Sequence, residues 1–210
     1  GATPEKSGET LYQNDGVRLW RLPAVDAGIG IISITSKMHT IGNEVLDGMI
    51  AAVRQAEQTL DGVVLWHEAP FAVGANLQQV GEACAAGLFD RLEQTVEKFQ
   101  RTSQLLKYAQ VPVVAAVQGM ALGGGCEFAM HAGKRVMALE SYVGLVEAGV
   151  GLIPAGGGSK EFAVRAAEWA AQSATPGEVF NFLQPAFMTI AMAKVAKSAA
   201  EAIEFGFGNP

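Results

Sequence analysis

Val111-Pro-Val-Val-Ala-Ala-Val-Gln-Gly-Met-Ala-Leu-Gly-Gly-Gly-Cys-Glu-Phe128 decides the fold. Residues 111–117 are a β-branched apolar run of buried-strand type, residues 119–125 a glycine-rich exit, and residues 126–131 a short buried helix. The same unit stands upstream. A short apolar strand at 63–66 leads into a loop carrying Pro70 and Gly74, and Leu88, Leu92, Val96, Phe99 and Leu106 then mark a long helix. Before it, Asn43 is a plausible N-cap, and Val45, Leu46, Met49, Ile50, Val53, Ala56 and Leu60 recur at the spacing of one helical face. The opening reads as two strands, 17–22 and 30–35, joined by a loop, and two further strands are expected near 135–139 and 142–146. Beyond Gly156-Gly-Gly158 the composition turns to Ala, Met, Lys and Glu, with helices expected at 159–171 and 178–197. Strands separated by helices require a sheet with parallel members, because a parallel crossover needs a dozen or more intervening residues. The fold class is α/β.

The 210 residues are a single-domain length, and a hydrophobic share of 50% against 17% charged is too apolar for a disordered chain. With 15 Lys and Arg against 21 Asp and Glu, the net charge of −6 has the wrong sign for tracking phosphates, so nucleic acid is not an expected partner. The longest apolar runs, 111–117 and 186–193, fall far short of the roughly 20 residues of a membrane span. Cys84 and Cys126 form neither a disulfide framework nor a zinc spacing, which points to a reducing, cytoplasmic setting. Residues 1–16 are polar, carry no signal-peptide pattern and begin at Gly1; they are expected to be a disordered extension, with the domain at 17–210 and the chain a piece of a longer protein.

Several familiar signatures fail. Ser159 stands between Gly158 and Lys160, which breaks a phosphate-loop reading; no Gly-x-Gly-x-x-Gly follows an early strand; and His67-Glu68 lacks a second histidine. His39, His67 and His131 have no ligand-spaced partner, so each has a structural role by default and no metal is expected. Three segments at strand ends remain, where α/β proteins gather functional loops. In Phe71-Ala-Val-Gly-Ala-Asn-Leu77, Gly74 lets the backbone approach a ligand and the Ala75 amide could donate outward, although a plain strand-to-helix turn fits as well. In the 118–128 stretch, three glycines precede a helix bearing Glu127. A helix N-terminus offers unsatisfied amides, so Gly124 N–H is placed to stabilise an oxyanion; close packing of helix on strand is the plainer account. The third segment, residues 144–158, carries Glu147 among apolar residues and glycines. A carboxylate there is paired, exposed at a loop, or raised in pKa as a general acid requires.

Together these segments resemble the enoyl-CoA hydratase/isomerase (crotonase) family over nearly the whole chain from about Val17. The resemblance implies a ClpP/crotonase-type fold of repeated ββα units with a helical C-terminal part, here short of the family's last helices. It implies an oxyanion hole from the Ala75 and Gly124 amides, and catalytic glutamates at Glu127 and Glu147, twenty residues apart. Retention of both carboxylates favours hydration of a 2-trans-enoyl-CoA in β-oxidation, with Glu127 as base on water and Glu147 as acid. The dipole of the helix carrying Glu127 is expected to favour its anion, and the apolar loop to favour protonated Glu147. Alternatives are an enoyl-CoA isomerase, or a non-catalytic acyl-CoA-binding portion of a dehydrogenase fusion. Ser36, Lys37, Met38, Val73, Asn76, Leu77, Gly123 and Val146 are the implied substrate and CoA contacts. No cofactor is implied beyond acyl-CoA as substrate. The 36–42 and 145–158 runs look most like the hydratase portion of bacterial 3-hydroxyacyl-CoA dehydrogenase fusions, so the resemblance implies a dehydrogenase region of the same polypeptide as a partner and, where the C-terminal helices are present, a homotrimer or hexamer. Two departures stand out: Asn76 occupies a position that is usually Asp, and residues 36–38 are not a close copy of the family's CoA-contacting run.

Overall fold

The structure, a computed structural model, describes residues 4–208. In chain order the elements are α1 (Pro4–Ser7), β1 (Glu9–Gln13), β2 (Val17–Leu22), β3 (Asp26–Ile34), α2 (Asn43–Thr59), β4 (Gly62–Leu65), α3 (Leu77–Ala85), α4 (Phe89–Tyr108), β5 (Val113–Leu122), α5 (Gly124–His131), β6 (Lys134–Gly144), α6 (Gly158–Gln172), α7 (Phe180–Ala191) and α8 (Ala199–Glu204). Short 3₁₀ turns occupy Lys37–His39 and Glu147–Val150. One six-stranded sheet runs in sequence order from β1 to β6. The β1–β2 and β2–β3 pairs are antiparallel; β3–β4, β4–β5 and β5–β6 are parallel, each reached through a helical crossover.

The core follows the expected periodicity. In α2, Val45, Leu46, Met49, Ala52, Val53 and Ala56 are all fully buried, one stripe laid on the sheet. Each large side chain in it is worth about 1.5–3 kcal/mol of burial. Gly42, with extended backbone, is the N-cap of α2, and Asn43 is its first helical residue, so the cap stands one position earlier than the sequence suggests.

The opening stretch departs from expectation over its described part. Residues 9–13 form an edge strand, closed onto β2 by Asn14, whose Oδ1 accepts the Gly16 and Val17 N–H groups at 3.0 and 2.7 Å. The Arg18 guanidinium ties it down further, donating to Thr10 Oγ1 and the Gly8 carbonyl. An edge strand with one exposed face needs little apolar content, which is why its polar sequence reads as an extension. Residues 1–3 lie outside the described residues.

Elsewhere, the expected long helix is preceded by a separate one, α3, ending at Ala85 before the left-handed Gly87. The two strands expected near 135–146 are one continuous β6. The glycine-rich exit is partly strand, since β5 continues to Leu122. The last expected helix, 178–197, ends early as α7 at Ala191, and α8 is a further helix beyond its range.

Candidate active site

Two loops meet where β5 ends. Beyond β4, Ala72 pairs with Ala121 of β5, its N–H donating to Met120 O and its carbonyl accepting from Leu122 N, both at 2.9 Å. Two residues on, Ile41 pairs with the same loop through Gly74 O at 2.8 Å and Asn76 N at 3.2 Å. In a parallel bridge those bonds go to the residues flanking Ala75, so Ala75's own N–H faces away from Ile41. Between the two bridges Gly74 takes φ +98°, a conformation glycine adopts without strain; a Cβ there would stand 3.1 Å from Leu122 O.

Gly123 caps α5 at φ 51°, and Glu127 N–H closes the first helical turn on its carbonyl. The amides of Gly124, Gly125 and Cys126 therefore precede the intrahelical ladder. Gly74 and Gly123 lie face to face, since a Cβ on either would stand 3.7 Å from the other's Cα, and one on Gly74 would stand 3.5 Å from Gly124 N. The amides of Ala75 and Gly124 are thus neighbours, and among the described residues neither has an acceptor.

Both carboxylates border the second loop. Glu127 is buried in the first turn of α5, and its Oε1 accepts Gly158 N–H at 2.9 Å, the first amide of α6. Gly156 leaves room for the other oxygen, because a Cβ there would fall 2.4 Å from Glu127 Oε2. Glu147, in the turn after β6, sits against Gly123, whose Cβ would stand 3.2 Å from Glu147 Oε1. Glu147 Oε2 is buried with no hydrogen-bond partner among the described residues.

Burial, reinforced by the charge of Glu147, pushes Glu127 up to about 8 against the pull of the Gly156, Gly157 and Gly158 amides. Burial also raises Glu147. This corrects the expectation of one charge-favouring and one acid-favouring setting: the helix that supports a Glu127 anion is α6, and both sites favour the acid. Two such interacting carboxylates titrate as a pair.

The remaining expected contacts are distributed more widely. Ala75 and Asn76 line a cavity of about 540 Å³ closed by α3, α4 and the Phe99 ring. Asn76 caps α3, its side chain accepting Gln79 N–H at 3.3 Å, which is what a carboxylate there would also do. Leu77, first residue of α3, is exposed, and Val73 and Val146 are half-buried beside Gly74 and Glu147. Ser36, Lys37 and Met38 lie in the turn leading to Ile41, with Ser36 Oγ donating to Thr40 O at 2.6 Å and Met38 exposed; none of the three reaches the carboxylates. Among the described residues no group of three or more His, Cys, Asp or Glu could hold a metal ion, and no described helix is long and apolar enough to cross a membrane.

Sequence reasoning placed Phe99 on the long helix and gave His131 a structural role, but linked neither to the site. Phe99 packs where a Gly124 or Gly156 Cβ would go, so it joins the 540 Å³ cavity to the carboxylates. His131 lies one helical turn beyond Glu127 in α5, a spacing that was legible.

A mixed sheet whose loops bring two free amides, a buried Glu127 and a half-buried Glu147 to one strand end is a crotonase-like α/β fold. The family model described as Enoyl-CoA hydratase/isomerase matches residues 25–176, and the chain belongs to that family. Solved enoyl-CoA hydratases share the fold: that of Polaromonas sp. JS666 at TM-score 0.70 and 21% identity, over 96% of this chain and 69% of that one, and that of Thermoplasma volcanium at 0.69 and 19%, over 95% and 72%. Among curated relatives, the Bacillus subtilis "Probable 3-hydroxyacyl-CoA dehydrogenase" is 36% identical over 197 residues, which is 92% of this chain but 24% of that protein. The Acinetobacter baumannii "Fatty acid oxidation complex subunit alpha" is 36% identical over 135 residues, 60% of this chain and 18% of the relative.

Proposed function

We propose that this chain hydrates the double bond of a 2-trans-enoyl-CoA thioester, giving a 3-hydroxyacyl-CoA, as one region of a longer fatty-acid-oxidation polypeptide that also carries a dehydrogenase. The observation that carries the reading is the pairing of two acid-favouring carboxylates, one buried and one half-buried, with two unengaged amides at one loop junction. The thioester carbonyl oxygen accepts the Ala75 and Gly124 N–H groups, which hold the enolate-like charge as water adds; each such donor is typically worth about 3–4 kcal/mol. A single proton on the carboxylate pair is the composition this addition uses. In the reacting form the pair's proton has passed from Glu127, where burial and the Glu147 charge favour it, to Glu147, and the ionised Glu127, supported by the Gly158 amide, takes a proton from water as the oxygen bonds to the β-carbon. Protonated Glu147 delivers its proton to the α-carbon. The pair ends with its proton count unchanged and its roles exchanged. The resemblance assigns which glutamate faces water, and no metal or redox group enters the proposed addition. Assembly as a trimer or hexamer, and a cytoplasmic setting, are part of the same proposal; sedimentation velocity tests the former.

The test is the loss of enoyl absorbance with crotonyl-CoA and with a longer 2-enoyl-CoA, in the parent chain and in Glu127→Gln and Glu147→Gln. Turnover that falls by about 10²–10⁴ in each variant is expected. Conversion of 3-enoyl substrates that survives in Glu147→Gln would move the reading to an isomerase. Tight acyl-CoA binding without turnover would move it to a binding region.

A further inference from the structure

Beside the carboxylate pair lies a second charged cluster. Glu161, in the first turn of α6, is 2% exposed, yet Lys107 Nζ from α4 lies at 2.7 and 3.0 Å from its two oxygens and Lys160 Nζ at 2.5 Å from Oε1. Arg165 Nε is 4.0 Å away on the same helix. Lys160 Nζ also stands 3.0 Å from His131 Nε2, and His131 Nδ1 stands 2.7 Å from the Glu127 carbonyl. A nitrogen facing a carbonyl must carry the proton, so Nδ1 donates and Nε2 accepts from Lys160. Burial keeps that imidazole neutral, lowering it to about 4. The ring lies directly beneath the N-cap of α6, where a Cβ on Gly157 would fall 2.5 Å from His131 Cε1.

We infer that Glu161, acting through Lys160 and His131, is a positioning residue that sets the N-terminal turn of α6 against the Glu127 carboxylate. The chain of contacts runs from Lys107 and Glu161 through Lys160 to the His131 ring. One end of that ring holds the backbone of α5 at Glu127, and its face sets Gly157, next to the Gly158 amide on Glu127 Oε1. A buried carboxylate held by two ammonium groups fixes geometry more firmly than an apolar contact, because leaving either partner unpaired is costly. The other charged groups facing the cluster are Arg135 of β6 and Arg165; those facing Glu127 are Glu147 and the Cys126 thiol. Arg165 also ties α6 to α5, donating to the Met130 carbonyl at 2.9 Å, whereas Lys160 and Glu161, at 3.0 and 3.5 Å from Nε2, make the contact to the His131 ring itself.

This inference rests on the proposed role of Glu127, so its test reads Glu127 without turnover. The carboxyl ¹³C resonance of Glu127, assigned with Glu127→Gln, is titrated in the free protein. In Glu161→Gln the midpoint is expected to rise by about one pH unit as the Gly158 amide loosens, a tenfold change in proton affinity, and Glu161→Asp is expected to restore most of it. With crotonyl-CoA, kcat should fall about tenfold with KM unchanged. Lys160, partly exposed, offers a second entry should Glu161→Gln not fold, and Lys160→Met should move the midpoint in the same direction. An unmoved midpoint in a folded variant overturns the inference, whatever happens to kcat. A moved midpoint in a chain that turns over no enoyl-CoA leaves the positioning intact and overturns the hydratase reading.

Discussion

At the scale of single residues, the two amides can be separated from the scaffold that holds them. The bonds Ile41 makes to this loop use Gly74 O and Asn76 N, so Ala75→Pro removes the Ala75 donor and spares both. We expect it to lower kcat by about 10²–10³ with 2-enoyl-CoA, the loss typical of one oxyanion donor; a drop below threefold would show that Ala75 N–H does not meet the carbonyl. Proton linkage gives a second prediction. Glu127 titrates near 8 when folded and near 4.5 when unfolded, so the native state binds the extra proton between those values and stability falls as pH rises through them. His67 and His131 are lowered to about 4 by burial, so the unfolded chain binds more protons between about 4 and 6.5, and stability falls as pH drops through that range. Thermal unfolding from pH 4 to 9 should therefore show a maximum near pH 6–7. Glu127→Gln should flatten the alkaline limb and steepen the acid limb, where the Glu127 and histidine titrations oppose each other. The same pair predicts that kcat/KM declines above about pH 8, as its shared proton is lost.

At the scale of elements, Asn76 illustrates how one residue serves two neighbours. Its Oδ1 caps α3, and its backbone N–H closes the pairing with Ile41. Asn76→Ala should cost about 1 kcal/mol in chemical denaturation, whereas Asn76→Asp should cost nothing or stabilise slightly at the positive end of the helix. Legibility divided along the same line. Features set by a few consecutive residues were readable, namely the glycines at 123–125 and the stripe on α2, whereas the association of Glu127 with Glu147 came from the family resemblance. Features set by pairing across the chain were not readable. The β1 sequence is polar because its partner and Arg18 supply its contacts, and β6 runs through Glu140 and Ser141 because β5 continues alongside it. The protonation of Glu127 was misjudged for a related reason. Its burial comes from Phe99, Gly156 and the start of α6, and no window around residue 127 contains them.

At the scale of the whole molecule, the N-terminal strand closes one edge of the sheet over Trp20. That ring is fully buried, donates to Ser33 Oγ at 2.9 Å, and packs so closely on Gly8 that a Cβ there would fall 2.2 Å from it. Removing residues 1–13 should red-shift tryptophan emission and cost about 1.5–3 kcal/mol of stability, the value of burying one large side chain; Trp20→Phe in the shortened chain should abolish the shift. The other end of the sheet carries the proposed site, and there the Ala72–Ala121 bridge has a wider consequence. Because the first loop is hydrogen-bonded into the end of β5, and β5 runs directly into Gly123 and Gly124, the two donors belong to one cooperative unit with the central strands. Amide hydrogen exchange at Ala72 and Leu122 should then proceed only through openings as rare as those of the core, so the donor geometry is present before any ligand arrives and substrate spends none of its binding energy on assembling it.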